Sequence, residues 1–131
     1  MFSEALPSSI ALVEPVLARA MKVLMSRGCM DGQCAAAEVA LREALANAIL
    51  HGNKCHPEKK VELDCYQYRD GSLLLVVRDE GLGFDPSGIG DPTRPENIFR
   101  AGGRGIYLIR HFMDEVEYRQ GGREIRMRKK K

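Results

Sequence analysis

The sequence lacks what would send it to a membrane, a polyanion or an oxidising compartment. No apolar run approaches the ~20 residues that a bilayer-crossing helix needs. The formal net charge is only +2, from 20 Lys and Arg against 18 Asp and Glu, so there is no general pull toward nucleic acid or an anionic surface. Much of the basic excess sits in Arg123, Arg126, Arg128 and the Lys129-Lys130-Lys131 run, which reads as a solvated terminus. Cys29, Cys34, Cys55 and Cys65 form no C-x-x-C pair and follow no signal peptide, so four reduced thiols in a cytoplasmic protein are expected. His51, Cys55 and His56 lie close together without a second ligand cluster at zinc-finger spacing, and no zinc site is assigned to them. The P-loop pattern G-x-x-x-x-G-K-[ST] occurs nowhere, and G-x-G-x-x-G is absent from the glycine cluster near residue 103; both points speak against P-loop and Rossmann sites.

What is present suits one globular domain over residues 1–131. Of the residues, 44% are apolar and 29% charged, and a chain of this length buries roughly two-thirds of its unfolded surface. Residues 2–6 fit a short edge strand. Ser8 or Ser9 is a candidate N-cap for an amphipathic helix reaching Ser26, with Pro15 either kinking it or marking its true first turn. Gly28 to Gly32 reads as a loop. A second helix is expected from Gln33 to His51, closed by Gly52-Asn53. Residues 60–68 alternate as a strand with Val61, Leu63 and Cys65 on one face. Asp70-Gly71 marks a hairpin turn, and residues 72–78 suit a central strand buried on both faces. Residues 80–105 hold seven glycines and three prolines without a sustained period, as a functional lid would. A helix over 105–112 and strands near 115–119 and 123–128, joined by Gly121-Gly122, complete an α+β two-layer sandwich.

Three places carry polar chemistry. On the second helix Glu43, Asn47 and His51 recur every four residues and share one stripe. Glu38 and Arg42 form an i,i+4 pair on nearly the opposite side. The helix therefore has a solvated face and a second polar face that must look at something else. A carboxylate and a carboxamide one turn apart can serve a hard cation and its waters, or orient a nucleophile; an internal hydrogen-bond network explains them equally well. Next, Asp79-Glu80-Gly81-Leu82-Gly83-Phe84 leaves the buried strand. Glycines at i and i+2 let backbone pass close to a ligand, and Asp79 can accept from an exocyclic amine; a simple turn is the plainer alternative. Last, Gly102-Gly103-Arg104-Gly105 runs into a helix start, where free N–H groups and the helix dipole favour phosphate. Arg100 and Arg104 can add charge to phosphate oxygens.

Taken in order, these motifs resemble the GHKL ATPase superfamily, which includes gyrase, the heat-shock chaperone, histidine kinases and MutL. E-A-L-A-N-A-I-L-H-G-N (43–53) is similar to its N box, D-E-G-L-G-F (79–84) to its first glycine box and G-R-G-I-Y-L-I (103–109) to its second. H-G-N-K at 51–54 with Pro57, E-N-I-F at 96–99 and L-I-R-H-F-M-D-E-V at 108–116 resemble most closely the anti-sigma-factor serine/threonine kinase branch. The resemblance implies a Bergerat, histidine kinase-like ATPase fold with a mixed sheet and an ATP lid over residues 85–102. It implies ATP and Mg2+ as cofactors. Asn47 would hold the magnesium and Glu43 would act as general base. Asp79 would read the adenine amine, with Gly81, Gly83 and Phe84 beside the base. Arg100, Gly103, Arg104 and Gly105 would surround the phosphates. The implied partners are a STAS-fold anti-sigma antagonist, phosphorylated on serine or threonine, and a sigma factor, with a homodimer common in the branch and no direct contact with nucleic acid or membrane. Gly102 stands where related sequences often carry Ser or Thr, so one hydroxyl contact is missing, and the lid has few charged residues of clear purpose. A partner-switching module without kinase turnover and a detached histidine-kinase catalytic domain remain alternatives.

Overall fold

The computed structural model describes residues 1–83 and 103–131. Five strands form one sheet in the order β1-β2-β3-β5-β4: β1 (Phe2–Pro7), β2 (Lys60–Gln67), β3 (Leu73–Arg78), β4 (Glu115–Arg119) and β5 (Glu124–Lys129). Among the described residues, three α-helices, α1 (Val13–Ser26), α2 (Asp31–Asn47) and α3 (Gly103–Phe112), form the second layer. Among the described residues no helix is long and apolar enough to cross a membrane.

Every strand pair is antiparallel, which corrects the mixed sheet that the resemblance implies. β4 runs in the direction of β3, but β5 is inserted between them, so no two parallel strands are neighbours. β1 is an edge strand, as its short polar-apolar alternation suggests.

The register explains which side chains enter the core. Phe2, Cys65, Leu75, Met127 and Val116 form one row across the sheet, and Glu4, Leu63, Val77, Ile125 and Tyr118 the next. Both rows face the helices. The opposite face is a lattice of charge over two buried residues, Leu74 and Val76. On it Arg78 reaches Asp64, Glu62 at 3.5 Å and Glu124 at 3.1 Å. β3 is therefore buried on both faces, one side by apolar packing and the other beneath paired side chains.

Helix α1 buries Val13, Val16, Leu17, Ala20, Met21 and Leu24, one stripe at helical spacing. Pro15 falls in its first turn, where no intrahelical N–H bond is lost; the helix is not kinked there. Ser9 precedes a 3-10 turn, Ile10–Leu12, without a side-chain cap. Ser8 is instead buried and hydrogen-bonds inward. Helix α2 carries Ala36, Ala37, Ala40 and Ala44 on its buried side. Such small side chains let α1 and α3 approach it closely from either flank. Arg42 pairs with Glu38 at 3.1 Å, and also with Glu14 of α1 at 2.6 Å.

Helix α2 begins earlier than expected, at Asp31, so its first turn comes back beside the end of α1. Cys29 and Cys34 then stand with Cα atoms 5.9 Å apart and their sulfurs joined, within the usual span of a disulfide. This corrects the expectation of four free thiols. Cys55 and Cys65 remain free, and burial pushes the Cys65 thiol up to about 12, which keeps it protonated and unreactive.

Candidate nucleotide site

A cavity of about 240 Å³ opens between the sheet and the helices. Its floor is one row of the sheet, Val77, Ile125 and Tyr118. Ala44 and Ala48 form one wall, and Ile106 and Ile109 of α3 the other. The floor is apolar and flat because adjacent strands present one residue each at the same level. Such a slot suits an aromatic ring, while Asn47, His51, Lys54, Asp79 and Arg123 give its rim polar groups.

The end of α2 departs from a regular helix. Residues Ala48–Gly52 continue Asp31–Asn47 as a π-turn. Asn53 N–H donates to the Ala48 carbonyl at 2.8 Å, and Cys55 N–H to that of Ile49 at 2.8 Å. Lys54 and Cys55 then take left-handed φ values of 52° and 58°, which is unfavourable for residues with a Cβ. Widened helix turns and strained residues of this kind concentrate at functional sites. Here they bring His51 and Lys54 to the cavity rim.

Glu43 and Asn47 converge on the start of α3. A Cβ at Gly105 would stand 2.8 Å from Asn47 Nδ2 and 3.0 Å from Glu43 Oε2, so only glycine admits both side chains in this position. Asn47 lines the cavity, and Glu43 lies one helical turn farther along, outside its lining. Among the described residues neither side chain makes a hydrogen bond or ion pair. Two oxygen-bearing groups left open beside a helix start fit a hard cation and an anion together.

Asp79 lies at the other end of the cavity, on the face of β3 that carries Val77. Its N–H donates to the Arg123 carbonyl at 2.9 Å, and its Oδ1 accepts from Gly81 N–H at 2.8 Å. Burial raises its carboxyl above the ordinary range; the Gly81 N–H bond and the charges of Arg123 and Lys59 oppose this without cancelling it. Gly81 is buried behind Asp79, where any Cβ would collide with the Gly52 carbonyl.

The structure thus gathers Asp79, Gly83 and Asn47 around one cavity, with Glu43 and Gly105 at its outer end and Gly81 behind Asp79. Gly103 and Arg104 open α3. Phe84, Arg100, Gly102 and the expected lid 85–102 lie outside the described residues. No motif in the sequence points to the part of the lining that Tyr118, Gly122, Arg123 and Ile125 contribute. Gln120, Gly121 and Gly122 adopt successive left-handed φ of 54°, 67° and 91°, which folds the β4–β5 connection against Gly83. The Gly121-Gly122 pair was the signal available in the sequence, and it reads equally well as a plain hairpin.

Comparison with known proteins agrees with this fold. The family model described as "Histidine kinase-like ATPase domain" matches residues 6–129. The serine-protein kinase RsbW of Staphylococcus epidermidis is 31% identical over 129 residues, covering 93% of this chain and 81% of that protein. The serine-protein kinase RsbW of Staphylococcus aureus strain JH9 is 34% identical over 100 residues, covering 71% and 63%. Among solved structures, the histidine kinase domain of the Erythrobacter litoralis EL346 blue-light activated histidine kinase superposes with a TM-score of 0.55 at 18% identity, over 94% of this chain and 59% of that one. The mycobacterial sensor histidine kinase MprB gives 0.54 at 18% identity, over 95% of both chains. At that identity the structural likeness speaks for the fold.

Proposed function

The chain belongs to the histidine kinase-like ATPase domain family, and from that premise we propose that it is an ATP-dependent protein serine/threonine kinase. Its substrate in this reading is a STAS-fold anti-sigma antagonist, and through it a sigma factor is regulated. The observation that carries the reading is the pair Glu43 and Asn47, unpartnered among the described residues and set against Gly105 at the start of α3. The names of the staphylococcal relatives support the kinase class.

The roles follow the cavity from end to end. Asp79 accepts a hydrogen bond from the adenine amine, and the row Val77, Ile125 and Tyr118 supports the ring. The N–H groups of Gly103, Arg104 and Gly105 face the phosphates at the positive end of the α3 dipole. Asn47 would offer an amide oxygen to magnesium, and an ion held there would supply neutralisation of the phosphate charge that builds on the leaving group. Glu43 takes the proton from the protein hydroxyl. In the transfer, the hydroxyl oxygen forms a bond to the γ-phosphorus, the bond between that phosphorus and the bridging oxygen breaks, and ADP leaves. Little covalent work falls to the protein, whose contribution is position and charge.

Calorimetric titration with ATP and ADP, with and without magnesium, tests this reading. Magnesium-dependent binding is expected, and Asn47→Ala should weaken it by about tenfold or more, the scale of one charge-assisted contact. Folded wild-type protein that binds neither nucleotide would refute it. Binding of ATP without transfer to any antagonist would favour the partner-switching alternative, for which Gly102 speaks.

Gly105→Ala separates site from scaffold. Glycine inside a helix costs roughly 0.5–1 kcal/mol relative to alanine, and the atoms in the way are the ends of two flexible side chains. The variant should melt no lower than wild type and still bind magnesium-ATP at least about tenfold more weakly. Melting curves and calorimetry on one sample read both effects.

A further inference from the structure

We infer that Asn53 is the positioning residue for the base-reading carboxylate, so that it sets the selectivity of the cavity for adenine while standing outside its lining. This rests on the reading of Asp79 given above.

Asn53 is 2% exposed, and its side chain has one acceptor and two donors, all engaged. Its Oδ1 accepts from Glu80 N–H at 2.8 Å. Its Nδ2 donates to Ser8 Oγ at 2.8 Å and to the Lys60 carbonyl at 2.9 Å. Ser8 Oγ in turn donates to the Lys59 carbonyl at 2.6 Å. One amide therefore ties the end of the π-turn, the segment after β1, the start of β2 and the exit of β3. The amide orientation is fixed by its partners, since a flipped group would oppose oxygen to the Lys60 carbonyl and N–H to Glu80 N–H.

These bonds bear directly on Asp79. The three successive N–H groups of residues 79, 80 and 81 are held by the Arg123 carbonyl, by Asn53 Oδ1 and by the Asp79 carboxylate itself. Asn53 holds the middle peptide, the one that orients the other two. Beside it, Gly52 lies so close that a Cβ there would come within 2.5 Å of Asp79 Cγ and 2.8 Å of its Oδ1. The backbone of 52–53 thus restrains the carboxylate from one side and the peptide behind it from the other. Aspartate at 53 would lose both donors, and a hydrophobic isostere would strand Glu80 N–H, a buried mismatch either way.

The test compares ATP with inosine triphosphate, which replaces the exocyclic amine by a carbonyl oxygen. Binding of each to the whole protein is measured by calorimetry with magnesium. Wild type should prefer ATP by about tenfold or more, since an unmatched polar group in such a site is costly. Asn53→Ala should lower ATP affinity about tenfold and leave inosine triphosphate within about twofold, so the preference collapses. Equal losses for both nucleotides would mark a merely structural role and overturn the inference, as would an unchanged preference. Should that variant fail to fold, Ser8→Ala removes only one of the Nδ2 partners. It should cut the preference about threefold, and an undiminished preference in it overturns the inference. Wild-type protein that binds both nucleotides equally refutes the base-reading role of Asp79 itself, and that failure is read without any variant.

Discussion

Glu43→Gln should reduce phosphoryl transfer to the antagonist by about 10²–10⁴-fold, the usual worth of a positioned general base, while ATP affinity stays within about threefold of wild type. The separation follows from where Glu43 sits. It lies outside the cavity lining, and among the described residues it makes no hydrogen bond or ion pair. No hydrogen bond or ion pair among the described residues is therefore lost when its charge is removed. Glutamine keeps the shape that fits against Gly105 but cannot accept the hydroxyl proton. Single-turnover transfer from labelled ATP, read beside calorimetric affinity, gives both numbers. Loss of affinity equal to the loss of rate would make Glu43 a binding residue, and an undiminished rate would remove it from the chemistry.

That Glu43 and Asn47 share a second polar face of their helix was legible in the sequence. Their four-residue spacing on a helix whose opposite side carries Glu38 and Arg42 required a second polar surface, and the fold turns that surface toward Gly105. The strand positions were equally legible, because Val61, Leu63 and Cys65 alternate and Leu73 to Val77 do not. What could not be read was local backbone that breaks period. The π-turn at Ala48–Gly52 widens the end of the helix that carries His51. Nothing in A-I-L-H-G marks the change, and the bonds that accompany it, from Asn53 to segments before and after it in the chain, are tertiary. The cavity wall at Tyr118, Gly122 and Arg123 was hidden for a similar reason. Its residues look like an ordinary hairpin, and only pairing β5 beside β3 brings them against Asp79. Likewise the Cys29–Cys34 pairing depends on where α2 starts, and Met30-Asp31-Gly32 reads as loop until the first turn of the helix closes over it.

Asp79→Asn should have opposite effects on binding and on stability. Asparagine keeps an acceptor for Gly81 N–H through Oδ1, so the local turn survives. Its second atom becomes a donor that meets the donor hydrogens of the adenine amine. Loss of a hydrogen bond to a charged group is worth about 1.5–3 kcal/mol, so ATP should bind at least about tenfold more weakly, and the opposed donors add to that. The nucleotide-free protein should respond the other way. Burial holds the Asp79 carboxyl above its ordinary value of 3.8, so between that value and the raised one the folded state binds more protons than the unfolded state. Stability then falls as pH rises through that window, and the ionised carboxylate remains a cost at neutral pH. Asparagine carries no such cost. The variant should melt above wild type near neutrality, and the gap should close as pH is lowered toward 3.8 and below, where both side chains are uncharged. Melting curves across that range decide the matter. A variant less stable than wild type at neutral pH would mean that Gly81 N–H, Arg123 and Lys59 outweigh desolvation. Asp79 would then be a satisfied structural carboxylate. A destabilised carboxylate that ligand binding relieves is what the base-reading role proposed for Asp79 requires, because among the described residues its second oxygen accepts no hydrogen bond and an adenine amine would supply one.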